Sequence, residues 1–186
     1  MLISTDMNKD LIREIEIPAG VEVVVSEDDI AVKGNGKELK RSFNIGKIKI
    51  EVKDGKIILS AKGATRRESK MIGTIWAHLK NMIKGVSEDF VYELEICNVH
   101  FPMSVKTNGD KVIIKSFLGE TTERSARIMP NVKVDIKGSI ITVSSSDIEG
   151  AGQTAANLEK ATKLTGRDRR IFQDGIFITK KPYRII

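Results

Sequence analysis

One cysteine, four prolines, two histidines and a single tryptophan in 186 residues leave few of the groups from which covalent, metal or redox chemistry is built. Cys97 stands alone in YELEICNV, so no disulfide framework forms within the chain, and a small strand-borne hydrophobe is the plain reading of it. His78 and His100 have no cysteine or second histidine at metal-ligand spacing, which speaks against zinc or any other metal. Long apolar runs are also missing; the longest, such as Val23 to Val25, are strand-sized, so no membrane span is expected. The amino-terminal stretch MLISTDMNKDLIREIE has neither the apolar core nor the cleavage site of a secretory signal, and a cytoplasmic protein is expected. The turn Gly34-Asn35-Gly36-Lys37 lacks a Lys-Ser/Thr pair at Walker spacing and leads into strand-like sequence, so it reads as a hairpin tip. Carboxylates alternate with lysines along strands, as in KIEVKD, which is the pattern of a solvated sheet face. Together these gaps point away from an enzyme, a cofactor or a small-molecule substrate.

What the chain does contain is itself, twice. The segment IKIEVKDGKIILS, beginning at Ile48, returns as VKVDIKGSIITVS at Val132, and Ile17-Pro18 returns as Phe101-Pro102, both at an offset of 84 residues. Two homologous modules are therefore expected, residues 1–88 and 89–186, joined without a flexible linker near residues 86–90. Each is short enough that one sheet and one covering helix should make up its core. Forty per cent hydrophobic and 30 per cent charged residues suit a globular chain.

In the first copy, VEVVV, IAV, IKIEV and KIILSAK alternate at strand period, with turns at Glu27-Asp28-Asp29, Gly34-Asn35-Gly36 and Asp54-Gly55. A helix over about 66–84 follows: Thr65 and Glu68 fit a capping box, and Ile72, Ile75, Trp76, Leu79, Met82 and Ile83 make an apolar stripe that Gly85 should end. The second copy repeats the order as MSVKT, KVIIKSF, VKVDIK, SIITVSS, a helix over about 150–164, and GIFITKK. The fold class is α+β, an antiparallel-rich sheet with one helix on one face in each module. Had the Trp76 and Met82 stripe been exposed, it would instead form the groove of a non-catalytic tandem protein-protein adaptor. The second helix is lined by small residues, and Gly150 and Gly152 fall near its start. Bare N-H groups there suit an anion, and a loop-to-helix junction that needs glycine dihedrals suits them equally.

Charge of one sign is concentrated. Lys plus Arg number 31 and Asp plus Glu 25, a net charge of +6. From Lys160 onward eight cations face only Asp168 and Asp174, which accounts for the whole excess. Arg167, Arg169 and Arg170 lie within four positions, and Lys180 and Lys181 follow, in GRDRRIFQDGIFITKK. Arginine forks bind phosphate, and no helix offers base-reading side chains for a DNA groove, so these five cations are the expected RNA contacts. Gln153 and the glycine-marked helix start supply a second patch. Phe172 and Phe177 either stack on a base or anchor the loop; the scarcity of aromatics favours anchoring. Asp174-Gly175 reads as a local turn, and Asp168 as an orienting partner for an arginine.

The stretch Gly152-Gln153-Thr154-Ala155-Ala156-Asn157, followed by Arg167-Asp168-Arg169-Arg170-Ile171-Phe172-Gln173-Asp174-Gly175, together with the paired Ile-Pro and Phe-Pro steps, resembles the L six family of large-subunit ribosomal proteins in its archaeal and eukaryotic branch. The likeness covers nearly the whole chain, and the Tyr-Lys-Gly-Lys-Gly run of the bacterial branch is missing. The resemblance implies a duplicated α+β protein without enzymatic activity. Its carboxy-terminal domain would hold large-subunit rRNA near the sarcin-ricin region, at the stalk base where translational GTPases dock and other ribosomal proteins are neighbours. Carried to this chain, Gly152, Gln153, Asn157, Arg167, Arg169 and Arg170 become rRNA contacts; Lys160, Lys180 and Lys181 are added from charge. The first domain, with Arg66-Arg67 and Lys40-Arg41, would be more peripheral.

Overall fold

The computed structural model describes residues 9–26, 29–43, 45–53 and 55–185. The chain forms two compact units that part between Glu88 and Asp89. The first contains β1 (Lys9–Glu16), β2 (Val21–Val25), β3 (Asp29–Gly34), β4 (Lys37–Ser42), β5 (Lys49–Lys53), β6 (Lys56–Ala64) and α1 (Arg66–Ser87). The second contains β7 (Phe90–Cys97), β8 (Ser104–Asn108), β9 (Lys111–Lys115), β10 (Arg124–Arg127), β11 (Lys133–Lys137), β12 (Ile140–Ser145), α2 (Ile148–Ala161), β13 (Gly175–Lys181) and β14 (Arg184–Ile185). All pairings are antiparallel, and the expected α+β class holds. The strands of each unit divide between two hydrogen-bonded sheets: β1-β6-β5 with β2-β3-β4, and β11-β12-β7-β13-β14 with β10-β9-β8.

The duplication is visible residue by residue. β5 and β6 begin at Lys49 and Lys56, and β11 and β12 begin 84 positions later at Lys133 and Ile140. The two copies diverge just before the Pro-containing turn. Lys56 faces Glu16, directly ahead of Ile17-Pro18, whereas its counterpart Ile140 faces Glu95, and Ile96 to His100 intervene before Phe101-Pro102. The second copy thus carries five extra residues at this point. Of the expected turns, Glu27, Asp28 and Asp54 lie outside the described residues; Asn35 and Gly36, both at positive φ, close the β3-β4 hairpin as a two-residue loop demands.

In the first unit the apolar stripe of α1 is core: Ile72, Ile75, Leu79, Met82 and Ile83 are buried, and half-buried Trp76 donates its indole N-H to the Glu14 carbonyl at 3.2 Å. The stripe is therefore no open groove. Thr65 and Glu68 form the capping box, with Glu68 accepting from the Thr65 N-H at 3.0 Å. Gly85 does not end the helix, which runs on to Ser87. The extra turn carries Val86 onto the β3 hairpin, so close that a Cβ on Gly34 would stand 2.6 Å from its Cγ1. Burial of a valine outweighs the cost of roughly 1 kcal/mol for a helical glycine.

α2 begins two residues earlier than its sequence suggests, because Asp147 is its N-cap and accepts from the Glu149 and Gly150 N-H groups. Its buried face of Ala151, Thr154, Ala155 and Leu158 packs over Leu94, Ile141, Val143 and Ile176. Gly152 touches the sheet: a Cβ there would lie 3.0 Å from the Tyr92 hydroxyl. At the other end Arg124 receives the helix. Its guanidinium forks onto Glu120 at 2.8 and 2.7 Å, donates to the Ala161 carbonyl at 3.0 Å and lies 4.3 Å from the Phe117 ring centroid. A cation thereby satisfies a carbonyl that the helix end leaves unpaired.

Asp174 is not a local turn residue. It is 2% exposed, and its carboxylate accepts from the backbone N-H groups of Val99 and His100 at 2.7 and 3.0 Å and pairs with His100 Nδ1 at 2.7 Å. The five-residue extension of the second copy is thus folded back on the start of β13. Burial alone would raise the Asp174 pKa, but the hydrogen bonds from His100 and Val99 outweigh it and hold the carboxyl below its ordinary value.

Three outcomes test these contacts. Arg124→Gln should weaken the second unit by about 2 kcal/mol in urea unfolding, since a charged fork and a helix-end bond are lost. Gly152→Ala should destabilise it as well, and the double variant with Tyr92→Phe should recover most of the loss, because the obstructing oxygen is gone. A depressed folded pKa at Asp174 gives stability that is complete above about pH 4 and is lost as pH falls through the lower folded value. Protection of the β13 amides, relative to their intrinsic exchange rates, should fall below about pH 4 in the wild type, and Asp174→Asn should be less protected already at pH 7 with a smaller acid dependence.

Candidate nucleic-acid interface

The exposed side of α2 is set by its period. Gln153, Asn157 and Lys160 recur at i, i+4 and i+7, opposite the buried alanines. Gln153 donates to Asn157 Oδ1 at 2.9 Å, and Asn157 donates to the Arg127 carbonyl at 2.9 Å, tying the helix to edge strand β10. Exposed Arg127 thereby joins the same surface. It lies far from the basic block in sequence, and only the β9-β10 pairing brings it beside α2; no sequence signal marks it out.

On the other side of the helix a cleft of about 410 Å³ is lined by Ala156, Glu159, Lys160, Thr162, Lys163, Leu164, Arg169, Asp174 and Phe177. Three cations and the Glu159 carboxylate share it. The loop that carries the arginines is organised by backbone bonds. Asp168 accepts from the Arg170 N-H at 2.9 Å and its carbonyl accepts from the Phe172 N-H at 2.9 Å, so Asp168 shapes the turn and leaves the guanidinium groups alone. Phe172 anchors the loop against His100, ring centroids 5.2 Å apart, and Arg167 lies 4.8 Å from the Phe172 centroid. Arg169 and Arg170 are exposed, and among the described residues neither they nor Lys160 or Lys181 has a carboxylate partner, whereas Arg167 lies within electrostatic reach of Glu120 and helps hold that carboxyl below its ordinary value.

Not every expected contact belongs to this surface. The α2 start already holds an anion, the Asp147 carboxylate, so the first-turn N-H groups are engaged, and Gly152 is explained by the approach of Tyr92. Lys180 is bound to Glu93 at 2.7 Å. Lys181 lies at the far end of β13 from the arginine loop, about 20 Å along the strand. Lys160 therefore stands between two groups, Gln153 and Asn157 with Arg127 toward β10 and Arg169 across the cleft, with Arg167 and Arg170 on the adjoining loop, while Lys180 and Lys181 are set apart. Cys97 is half-buried in β7, and burial, with Glu95 and Asp174 nearby, pushes its thiol pKa up, away from reactivity. Among the described residues no group of three or more His, Cys, Asp or Glu side chains is placed to hold a metal ion, and no helix is long and apolar enough to cross a membrane.

The family model of ribosomal protein L6 matches residues 17–89 and 101–175, one segment in each copy. The chain is 45% identical over 177 residues to the large ribosomal subunit protein uL6 of Methanococcus vannielii, covering 95% of this chain and 97% of that one. It is 45% identical over 175 residues to the uL6 of Methanosarcina mazei, covering 94% and 99%. Against the uL6 of Methanobrevibacter smithii it is 44% identical over 168 residues, covering 90% and 94%. With both repeats matched and nearly the full length shared, the chain belongs to the ribosomal protein L6 family.

Proposed function

We propose that the protein is a non-catalytic constituent of the large ribosomal subunit whose second unit grips large-subunit rRNA. The supporting observation is the set of exposed cations Lys160, Arg169 and Arg170, which have no carboxylate partner, with Arg167 beside them on the Phe172 ring, while the loop beneath them is fixed by Asp168, Phe172 and Asp174. Cations held by a rigid backbone and not neutralised from within are suited to phosphates, because little side-chain or loop ordering remains to oppose binding. Gln153, Asn157 and Arg127 extend the contact along α2 with neutral and cationic donors. Gly152 serves this surface indirectly, by letting α2 lie close to Tyr92. Contact near the sarcin-ricin region and with ribosomal proteins at the stalk base is part of the same proposal, and family membership supports it. A protein-protein adaptor built on the α1 stripe finds no support, since that stripe packs into the core.

Counterion release gives the test. For the triple variant Arg167→Gln, Arg169→Gln and Arg170→Gln, the slope of log affinity for large-subunit rRNA against log salt should become shallower by about 2 to 3, at roughly 0.7 to 0.9 per phosphate contact. An unchanged slope in a folded variant would remove these arginines from the interface.

A further inference from the structure

The first unit separates its charges. On its strands, lysines lie beside carboxylates: Lys33 with Glu38, Lys40 with Asp29 and Lys56 with Glu14. α1 does the opposite. It carries Arg66, Arg67, Lys70, Lys80 and Lys84 against one carboxylate, Glu68, which is turned back onto Thr65 at the cap. Arg66, Arg67, Lys70 and Lys80 are exposed and have no carboxylate partner among the described residues. Positions 66, 70, 80 and 84 fall on one side of the helix and span about 27 Å. Arg13 of β1 joins them, its guanidinium 5.7 Å from the Trp76 centroid, with the Lys80 ammonium 5.0 Å from the same ring.

Stability does not account for this arrangement. Arg66 and Arg67 occupy the first turn, where the helix dipole disfavours cations, and like charges at i, i+4 repel. Protein docking does not fit it either. Recognition patches between proteins centre on exposed aromatic or large apolar side chains. Between the cations this face offers Ser69, Gly73, Thr74, Ala77 and Asn81; Trp76 is half-buried with Arg13 and Lys80 over its ring, and Ile72, Ile75, Leu79, Met82 and Ile83 are buried in the core. An extended row of cations over small side chains is complementary to a phosphodiester backbone.

We infer that the exposed face of α1 is a second RNA-binding surface, which grips the backbone of an rRNA segment independently of the arginine loop in the second unit. The inference goes beyond the function proposed for that loop and does not need it. The test uses the full chain and purified large-subunit rRNA. Substituting Arg66→Gln, Lys70→Gln and Lys80→Gln leaves Thr65 and Glu68 in place and removes repulsion, so thermal stability should be kept. The salt slope should become shallower by about 2 to 3, and a block of hydroxyl-radical protection on the rRNA should vanish while the block lost with the Arg167, Arg169 and Arg170 substitutions remains. Acetylation of Lys70 and Lys80 in the wild-type protein should likewise be suppressed by rRNA. An unchanged slope and footprint, or equal acetylation with and without rRNA, would overturn the inference. So would substitutions that abolish binding to an acidic ribosomal protein while leaving the rRNA footprint whole. Loss of protection only at the block that the Arg167, Arg169 and Arg170 substitutions remove would overturn it too, since α1 would then have no footprint of its own.

Discussion

Asp174 is the only buried charged side chain among the described residues, and the way it is satisfied governs the surface around it. A buried carboxylate needs donors, and in a loop with three arginines within four positions a guanidinium is the obvious supply. Here the donors are the Val99 and His100 backbone N-H groups and the His100 ring. The buried charge is thereby met by the residues just ahead of Phe101-Pro102, and no arginine is drawn to it. The same division recurs one turn earlier, where Asp168 accepts from a backbone N-H and no arginine side chain is drawn in. Fixing the loop and leaving its cations unpaired are two consequences of one choice of donors.

That choice depends on how the second copy departed from the first. The strand-to-turn connection is direct at Glu16-Ile17-Pro18, whereas five residues precede Phe101-Pro102 in the second unit. Those residues include Val99 and His100, the donors to Asp174, and His100 is also the ring against which Phe172 rests. At the opposite end of the loop Arg124 fixes the last turn of α2 through Glu120 and the Ala161 carbonyl. The basic segment is therefore held at both ends by contacts to the β7-β10 half of its own unit. The first unit followed another route. Its helix carries a row of exposed cations along one side. The cations of α1 stand out only in space, because on the strands lysines lie beside carboxylates.

Much of the fold could be read from the residues. The 84-residue offset located β5, β6, β11 and β12, and the capping box located α1, because those signals are local: alternation, a turn and a reciprocal cap. Strands β1, β4 and β10 were not read. KDLIREIE, KELKRS and RSAR are dominated by charge, as edge strands are, and their pairing is decided by partners distant in sequence. Gly85 and Gly152 misled for one reason. A glycine reads as a break or a bare backbone, yet Gly85 is a helical position that lets Val86 reach Gly34, and Gly152 is a spacer under Tyr92. Of the candidate site, the arginine loop and Lys160 were legible from charge alone. The engagement of Lys180 with Glu93, the recruitment of Arg127 and the long-range role of Asp174 were not, since each depends on strand register.

The central claim is that the second unit presents its unpaired cations to rRNA. Photocrosslinking of the chain within purified large subunits, followed by mass spectrometric location of nucleotide adducts, tests it most directly. Adducts concentrated between Gln153 and Lys163 and between Arg167 and Arg170 are the predicted result. Assembled subunits that crosslink elsewhere on the second unit, with both of these segments unmodified, would contradict the account.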